Sequence, residues 1–201
     1  MDTAGDPAAH PLERKLTITL VRHGQTEWSL SGRHTGRTDV PLTETGRRQA
    51  MQVGTKLANR RFALVLTSPA SRAVDTCRLA GMGEGERSDD LLEWDYGAYE
   101  GRTTDDIRAE RPGWLLWRDG VPDGEQPADV ARRADRLIAR LRGVSGDVIC
   151  FSHGHILRML AARWVNLGPD GGSRLALDTA TISVLGYERE VSVVRLWNEA
   201  S

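Results

Sequence analysis

The sequence predicts an α/β fold: a three-layer α/β/α sandwich with a mostly parallel sheet, helices on both faces and a small cap insertion. Three observations lead there. Short apolar runs of strand length alternate along the chain with longer amphipathic segments, the order that builds parallel sheets covered by helices. Two of those runs, residues 16–21 and 147–152, end next to a histidine followed by glycine. The chain has 201 residues, enough for one domain with a well-buried core.

Residues 16–21 (LTITLV) form the first apolar strand and end on Arg22-His23-Gly24. Thr43 is placed to cap a helix reaching about Arg60, with Ala50, Val53 and Leu57 toward the core. Residues 62–66 read as a second strand. Ser68 and Pro69 then read as the N-cap and first position of a helix, which puts Arg72 in its first turn. A short apolar pair, Leu91-Leu92, precedes Glu93, and residues 97–126, rich in Gly, Pro and Trp, read as an insertion with short helices. Residues 128–142 form an amphipathic helix. Val130, Ala134, Leu137, Ile138 and Leu141 share one face, with Arg132, Arg133, Arg136 and Arg140 away from it. Residues 147–152 are a strand of the buried type, followed by His153-Gly154-His155 and a helix over 156–165 whose N-terminus offers amide donors to an anion. Residues 181–187 and 191–197 flank a polar turn and predict a hairpin at the edge of the sheet. Residues 1–14, including His10, are polar and lack the apolar core of a signal peptide, so they read as a flexible extension. Residues 15–201 read as one domain.

Composition narrows the partners. The net charge of −1 supplies no field to draw nucleic acid or a membrane surface. Lys15 and Lys56 are the only lysines, and the arginines are dispersed among matching acids. No stretch is long and apolar enough for a bilayer span. Cys77 and Cys150 have neither metal nor redox spacing and read as buried thiols in a reducing cytoplasm. No carboxylate cluster suited to magnesium is evident, so neither metal nor cofactor is expected.

In open α/β sheets, ligands bind at the carboxyl edge of the strands. Imidazole can accept a phosphoryl group there, and guanidinium grips phosphate bidentately. Taken singly, Arg72 could be a surface arginine, Glu93 a helix-end acid and His153 a core histidine. Together, two strand-end His-Gly signals, an arginine at a helix start and one acid make a coherent set for phosphoryl transfer.

Five motifs carry a more specific signal: Arg22-His23-Gly24-Gln-Thr-Glu-Trp, the run from Thr35-Gly36 to Ala50, Ser68-Pro-Ala-Ser-Arg72-Ala, Glu93 to Gly101, and Ser152-His153-Gly154. In this order they resemble the histidine phosphatase superfamily, the phosphoglycerate-mutase-like fold, and most of all its acid-phosphatase-like branch. The resemblance covers about Leu16 to Trp197. It implies that His23 is the phosphorylated nucleophile, Glu93 the proton donor, and Arg22, Arg72 and His153 the phosphate pocket. It further implies that Gly24, Gln25, Ser29, Thr35, Gly36, Tyr96, Gly154 and His155 contribute to substrate or phosphate binding, and that the 97–126 insertion covers the site. Many members of the family are dimers, although no exposed apolar strand argues for a homodimer in this chain.

The implied chemistry is metal-independent hydrolysis of a small phosphomonoester. His23 attacks phosphorus while Arg22, Arg72 and a protonated His153 hold the equatorial oxygens. Glu93 protonates the leaving oxygen and later takes a proton from the hydrolytic water. Because Glu93 must enter the first step protonated, turnover is expected to favour mildly acid pH. A cofactor-dependent mutase is the alternative, and a phosphate-binding module the non-enzyme alternative. Mutase-type members carry a lysine where Thr104 stands, paired arginines where Arg118-Asp119 stands, and an asparagine where His155 stands. In residues 97–125 seven acids face four arginines, so the resemblance favours a phosphatase. Trp114 and Trp117 could stack on a substrate but read better as packing residues, and His34, beside Thr35-Gly36, reads equally as a substrate contact or as an exposed loop histidine.

Overall fold

A computed structural model of the chain describes residues 16–201. The expectation of a flexible extension over 1–14, with His10, lies outside the described residues. Six strands make one sheet: β1 (Ile18–Arg22), β2 (Leu64–Thr67), β3 (Glu86–Arg87), β4 (Val148–Ser152), β5 (Ile182–Glu188) and β6 (Val191–Glu199), in the order β3-β2-β4-β1-β5-β6. β1, β2, β3 and β4 run parallel, whereas β5 and β6 form the expected antiparallel hairpin at one edge. The two-residue β3 closes the other edge, a strand too short for its sequence to signal.

Seven α-helices among the described residues accompany the sheet: α1 (Glu27–Leu30), α2 (Glu44–Leu57), α3 (Ser71–Leu79), α4 (Thr104–Glu110), α5 (Leu116–Asp119), α6 (Pro127–Arg142) and α7 (Gly154–Trp164). Strand side chains alternate between two cores, as the pleat requires. Ile18, Leu20, Val148 and Cys150 pack with Val130, Leu137, Leu157 and Leu160 of α6 and α7. Val21, Ile149 and Phe151 pack with Val53, Leu57 and Cys77 of α2 and α3. The sheet is therefore buried on both faces, which gives the three layers. Cys77 and Cys150 lie in different cores as free, buried thiols, each pushed up to about 12 by burial. No helix among the described residues is long and apolar enough to cross a membrane.

Local rules account for most boundaries. Thr43 caps α2 by accepting from the Gly46 amide at 3.0 Å, as its sequence predicts. The helix ends at Leu57 rather than near Arg60, because the chain tightens there into a turn from the Arg60 amide to the Leu57 carbonyl. α3 departs from expectation at its start: Ala70 is the N-cap, and Ser68 and Pro69 precede the helix. Arg72 still falls in its first turn. Arg133 also departs, since it is buried rather than on the solvent face of α6. α7 begins two residues earlier than its apolar pattern indicates, with His153 as N-cap.

Candidate active site

β1 and β4 are neighbours in parallel register, Arg22 opposite Ser152, so both histidine-bearing loops leave the same edge of the sheet. The His23 and His153 rings meet there edge to face, centroids 5.1 Å apart. A cavity of about 180 Å³ opens above them. It is lined by Arg22, His23, Ser29, Thr35, Glu93, Tyr96, Gly154 and His155 of the expected set, and also by Gly32, Arg33, His34, Arg158 and Leu177.

His23 is held in one tautomer. Its Nδ1 lies 2.7 Å from the Gly24 carbonyl, which can only accept, so Nδ1 carries the proton. Nε2 is left as a lone pair without a protein partner among the described residues. Burial, then the charges of Arg72 and Arg22, pull the imidazole well below its ordinary 6.5, which keeps it neutral. A neutral ring nitrogen with a free lone pair is able to act as a nucleophile.

Arg22 presses its guanidinium against Gly154, where a Cβ would sit 3.4 Å from Cζ and Nε. One Nη1–H is donated to the Leu177 carbonyl, while the buried Nε has no hydrogen-bond partner among the described residues. Burial lowers this arginine from its ordinary value, Glu93 opposing. A buried cation with an unspent donor at the cavity wall suits a phosphate oxygen.

Glu93 narrows one expectation. Two of the amide donors at the start of α7, those of His155 and Ile156, are occupied by its carboxylate rather than left for a phosphate. Oε1 accepts from the Trp94 amide at 2.9 Å and the Ile156 amide at 3.0 Å, and Oε2 from the His155 amide at 3.0 Å. Oε2 thus has fewer bonds and retains room for a transferable proton. Tyr96 stands beside it, its hydroxyl 2.6 Å from His155 Nδ1.

Arg72 and His153 lie behind the cavity rather than in its wall. Arg72 is fully buried. It donates Nε–H to His153 Nδ1 at 3.1 Å, and its Nη groups to the carbonyls of Thr35, Gly36 and Thr38. His153 Nδ1 is therefore an acceptor, and Nε2–H points to Ser68 Oγ at 2.7 Å. The expectation of a protonated His153 is corrected: burial and the charge of Arg72 hold it neutral.

Three other expected binding residues lie outside the cavity lining and make structural contacts. Gly24 makes room for α2, since a Cβ there would lie 2.3 Å from the Gly46 carbonyl oxygen. Gln25 is engaged with Gln49 and Thr43. The Gly36 amide is bound by both Glu100 oxygens, at 2.9 and 3.0 Å. Glu100 also accepts from the Thr38 amide, so it grips the amides of the 35–38 loop while Arg72 grips its carbonyls. The 97–126 insertion contributes nothing to the cavity lining either. Its Trp114 is buried and donates to the Gly120 carbonyl, packing edge-on to His34 from behind.

Sequence reasoning passed over Arg158, although it lies one helical turn from Gly154 and so shares its face of α7. It also passed over Leu177, for which no local signal exists, and Arg133. The five donors of Arg133 reach both Glu125 oxygens and the carbonyls of Asp90, Leu92 and Glu93. The segment bearing Glu93 is thereby fixed from below.

Known proteins resemble this chain over most of its length. A family model described as histidine phosphatase superfamily (branch 1) matches residues 18–200. An acid phosphatase of Mycobacterium tuberculosis is 46% identical over 182 residues, covering 89% of this chain and 90% of its own. A sedoheptulose 1,7-bisphosphatase of Saccharomyces cerevisiae is 39% identical over 183 residues, covering 74% of this chain and 67% of its own. The solved structure of a Mycobacterium tuberculosis open reading frame superposes with a TM-score of 0.89 at 44% identity, over 93% of this chain and 99% of that one.

Proposed function

The chain belongs to the histidine phosphatase superfamily, and from that membership we propose that it hydrolyses a small phosphomonoester through a phosphohistidine on His23. The observation that carries the reading is the fixed tautomer of His23, whose free Nε2 shares one small cavity with Arg22 and Glu93. In the first step the Nε2 lone pair forms the N–P bond as the P–O bond of the ester breaks. The departing electron pair on oxygen takes the proton of Glu93 Oε2. In the second step water attacks phosphorus, its proton passes to the Glu93 carboxylate, and the N–P electrons return to Nε2.

Arg22 meets the phosphate directly. Arg72 and His153 act from the buried side: the Nε2–H of His153 leaves Ser68 for a phosphate oxygen, and Arg72 orients that ring while adding its charge. Tyr96 and His155, linked by their short hydrogen bond, shape the wall beside Glu93. Two of the four arginines of the insertion are spent on acids, Arg118 on Asp119 and Arg102 on Glu110, and none of the four lines the cavity, which supports hydrolysis over phosphate migration.

The test follows free phosphate and isomer together, with an aryl phosphate and with 3-phosphoglycerate plus a trace of its bisphosphate. Phosphate release without isomerisation is expected. Isomerisation without release would make the protein a mutase.

A further inference from the structure

Resting on the phosphatase reading, we propose that Arg33 and Arg158 form a second anion subsite in the same cavity, so that the preferred substrate is a phosphomonoester carrying another negatively charged group. The charge inventory leads to it. The charged residues of the lining are Arg22, Arg33 and Arg158 against Glu93. Its three histidines, His23, His34 and His155, are held neutral chiefly by burial. A bound phosphate dianion takes up Arg22 and the charge of Arg72 behind it. Arg33 and Arg158 then remain in the lining, neither of them in a direct ion pair among the described residues, although Arg158 feels the charge of Glu93.

Neither arginine has a carboxylate within ion-pair distance among the described residues. Arg158 is half-buried and rigidly presented. Its Nε–H is donated to the Gly172 carbonyl at 3.0 Å, and its guanidinium lies over the Trp117 ring, 4.9 Å from the centroid. Nη2 reaches the Ser173 carbonyl at 3.4 Å, which leaves Nη1 without a partner among the described residues. A partly desolvated cation is costly to leave unpaired. Arg33, on the exposed loop after α1, makes no side-chain hydrogen bond or ion pair among the described residues, although Asp106 feels its charge. His34 lines the same cavity, stacked on Tyr96 with ring centroids 4.7 Å apart, its buried Nε2 unpartnered among the described residues. By contrast, Arg102 and Arg118 of the insertion are spent on acids. The shared chemistry of the ligand is an anionic group at a short distance from the phosphate, either a carboxylate or a second phosphate.

Three non-hydrolysable probes separate these sources and keep the test independent of turnover: propylphosphonate, 3-phosphonopropionate and propane-1,3-diphosphonate, titrated calorimetrically against the full chain. The native protein is expected to bind at least one of the two doubly anionic probes about tenfold or more tightly than propylphosphonate. The better of the two identifies a carboxylate or a phosphate as the second group. Arg33→Met and Arg158→Met should each shrink that preference several-fold. Because Arg158 also braces Gly172, the exposed Arg33→Met variant carries the test should Arg158→Met fold poorly. Equal affinity for all three probes, or a preference unchanged in Arg33→Met, would overturn the subsite. Release of phosphate from an aryl ester alongside equal probe affinities would sink the subsite alone and leave the phosphatase reading standing.

Discussion

The Nδ1–H of His23 is committed to the carbonyl of Gly24, 2.7 Å away, so the ring can offer only Nε2 to an incoming phosphorus. Burial and the neighbouring arginines keep that nitrogen unprotonated. A group whose value is lowered stays neutral until the pH falls below that lowered value. Activity on an aryl phosphate should therefore persist at pH 5.5, where a free imidazole is about nine-tenths protonated. The kcat/KM profile checks this, and an acid limb at pH 6.5 would contradict it.

The same burial has a cost in stability. His23, His153 and His155 are held well below 6.5 in the folded chain, and His34 is lowered to about 4. Unfolded histidines bind protons below 6.5 while these do not, so their contribution is full above that pH and is lost as pH drops toward the folded values. Each removes up to about 1.4 kcal/mol per pH unit in that window. Urea midpoints at pH 7.5 and 5.5 should differ by well over what a surface histidine gives; equal midpoints would show that the rings are not buried neutral.

Arg133 fixes the backbone of Glu93 and pairs with Glu125 at both ends, 2.8 Å each. Replacing it with Met strands a largely buried carboxylate and three carbonyls. Arg133→Met should cost roughly 2–4 kcal/mol of stability. Loosening the Glu93 segment should also lower kcat by about ten- to a hundredfold with KM nearly unchanged, as misplaced acids do. Equal losses in kcat and in ground-state affinity for phosphate would mean that Arg133 acts on binding instead.

Gly24 supports the site through space. Gly24→Ala would push a methyl group into the Gly46 backbone of α2, which cannot yield as a flexible side chain would. A loss of roughly 2–3 kcal/mol is expected, visible in the denaturation midpoint even with phosphate absent. Unchanged stability with lost activity would return Gly24 to the ligand-binding role that the sequence implies.

Much of this was legible before the structure. Apolar alternation located β1 and β4, because strands buried on both faces read as near-continuous hydrophobic runs. The His-Gly signals followed from their ends. What stayed hidden depends on long-range geometry. Arg133 sits by helical period on the solvent side of α6 in an isolated helix, but the Glu93 segment folds over it. Gly36 resembles a ligand contact by its neighbours, yet Glu100, 64 residues away, claims its amide. Nothing local tells that the His155 and Ile156 amides go to Glu93 and that the insertion stays out of the cavity lining.

The most direct measurement is acid-free rapid quench of the protein with a phosphomonoester labelled in its phosphate, followed by mapping of the modified residue. The account predicts an alkali-stable, acid-labile phosphoryl group on Nε2 of His23. It also predicts that His23→Ala forms no such adduct and loses roughly four orders of magnitude or more in phosphate release. Label on another residue, or phosphate release undiminished in His23→Ala, would contradict it.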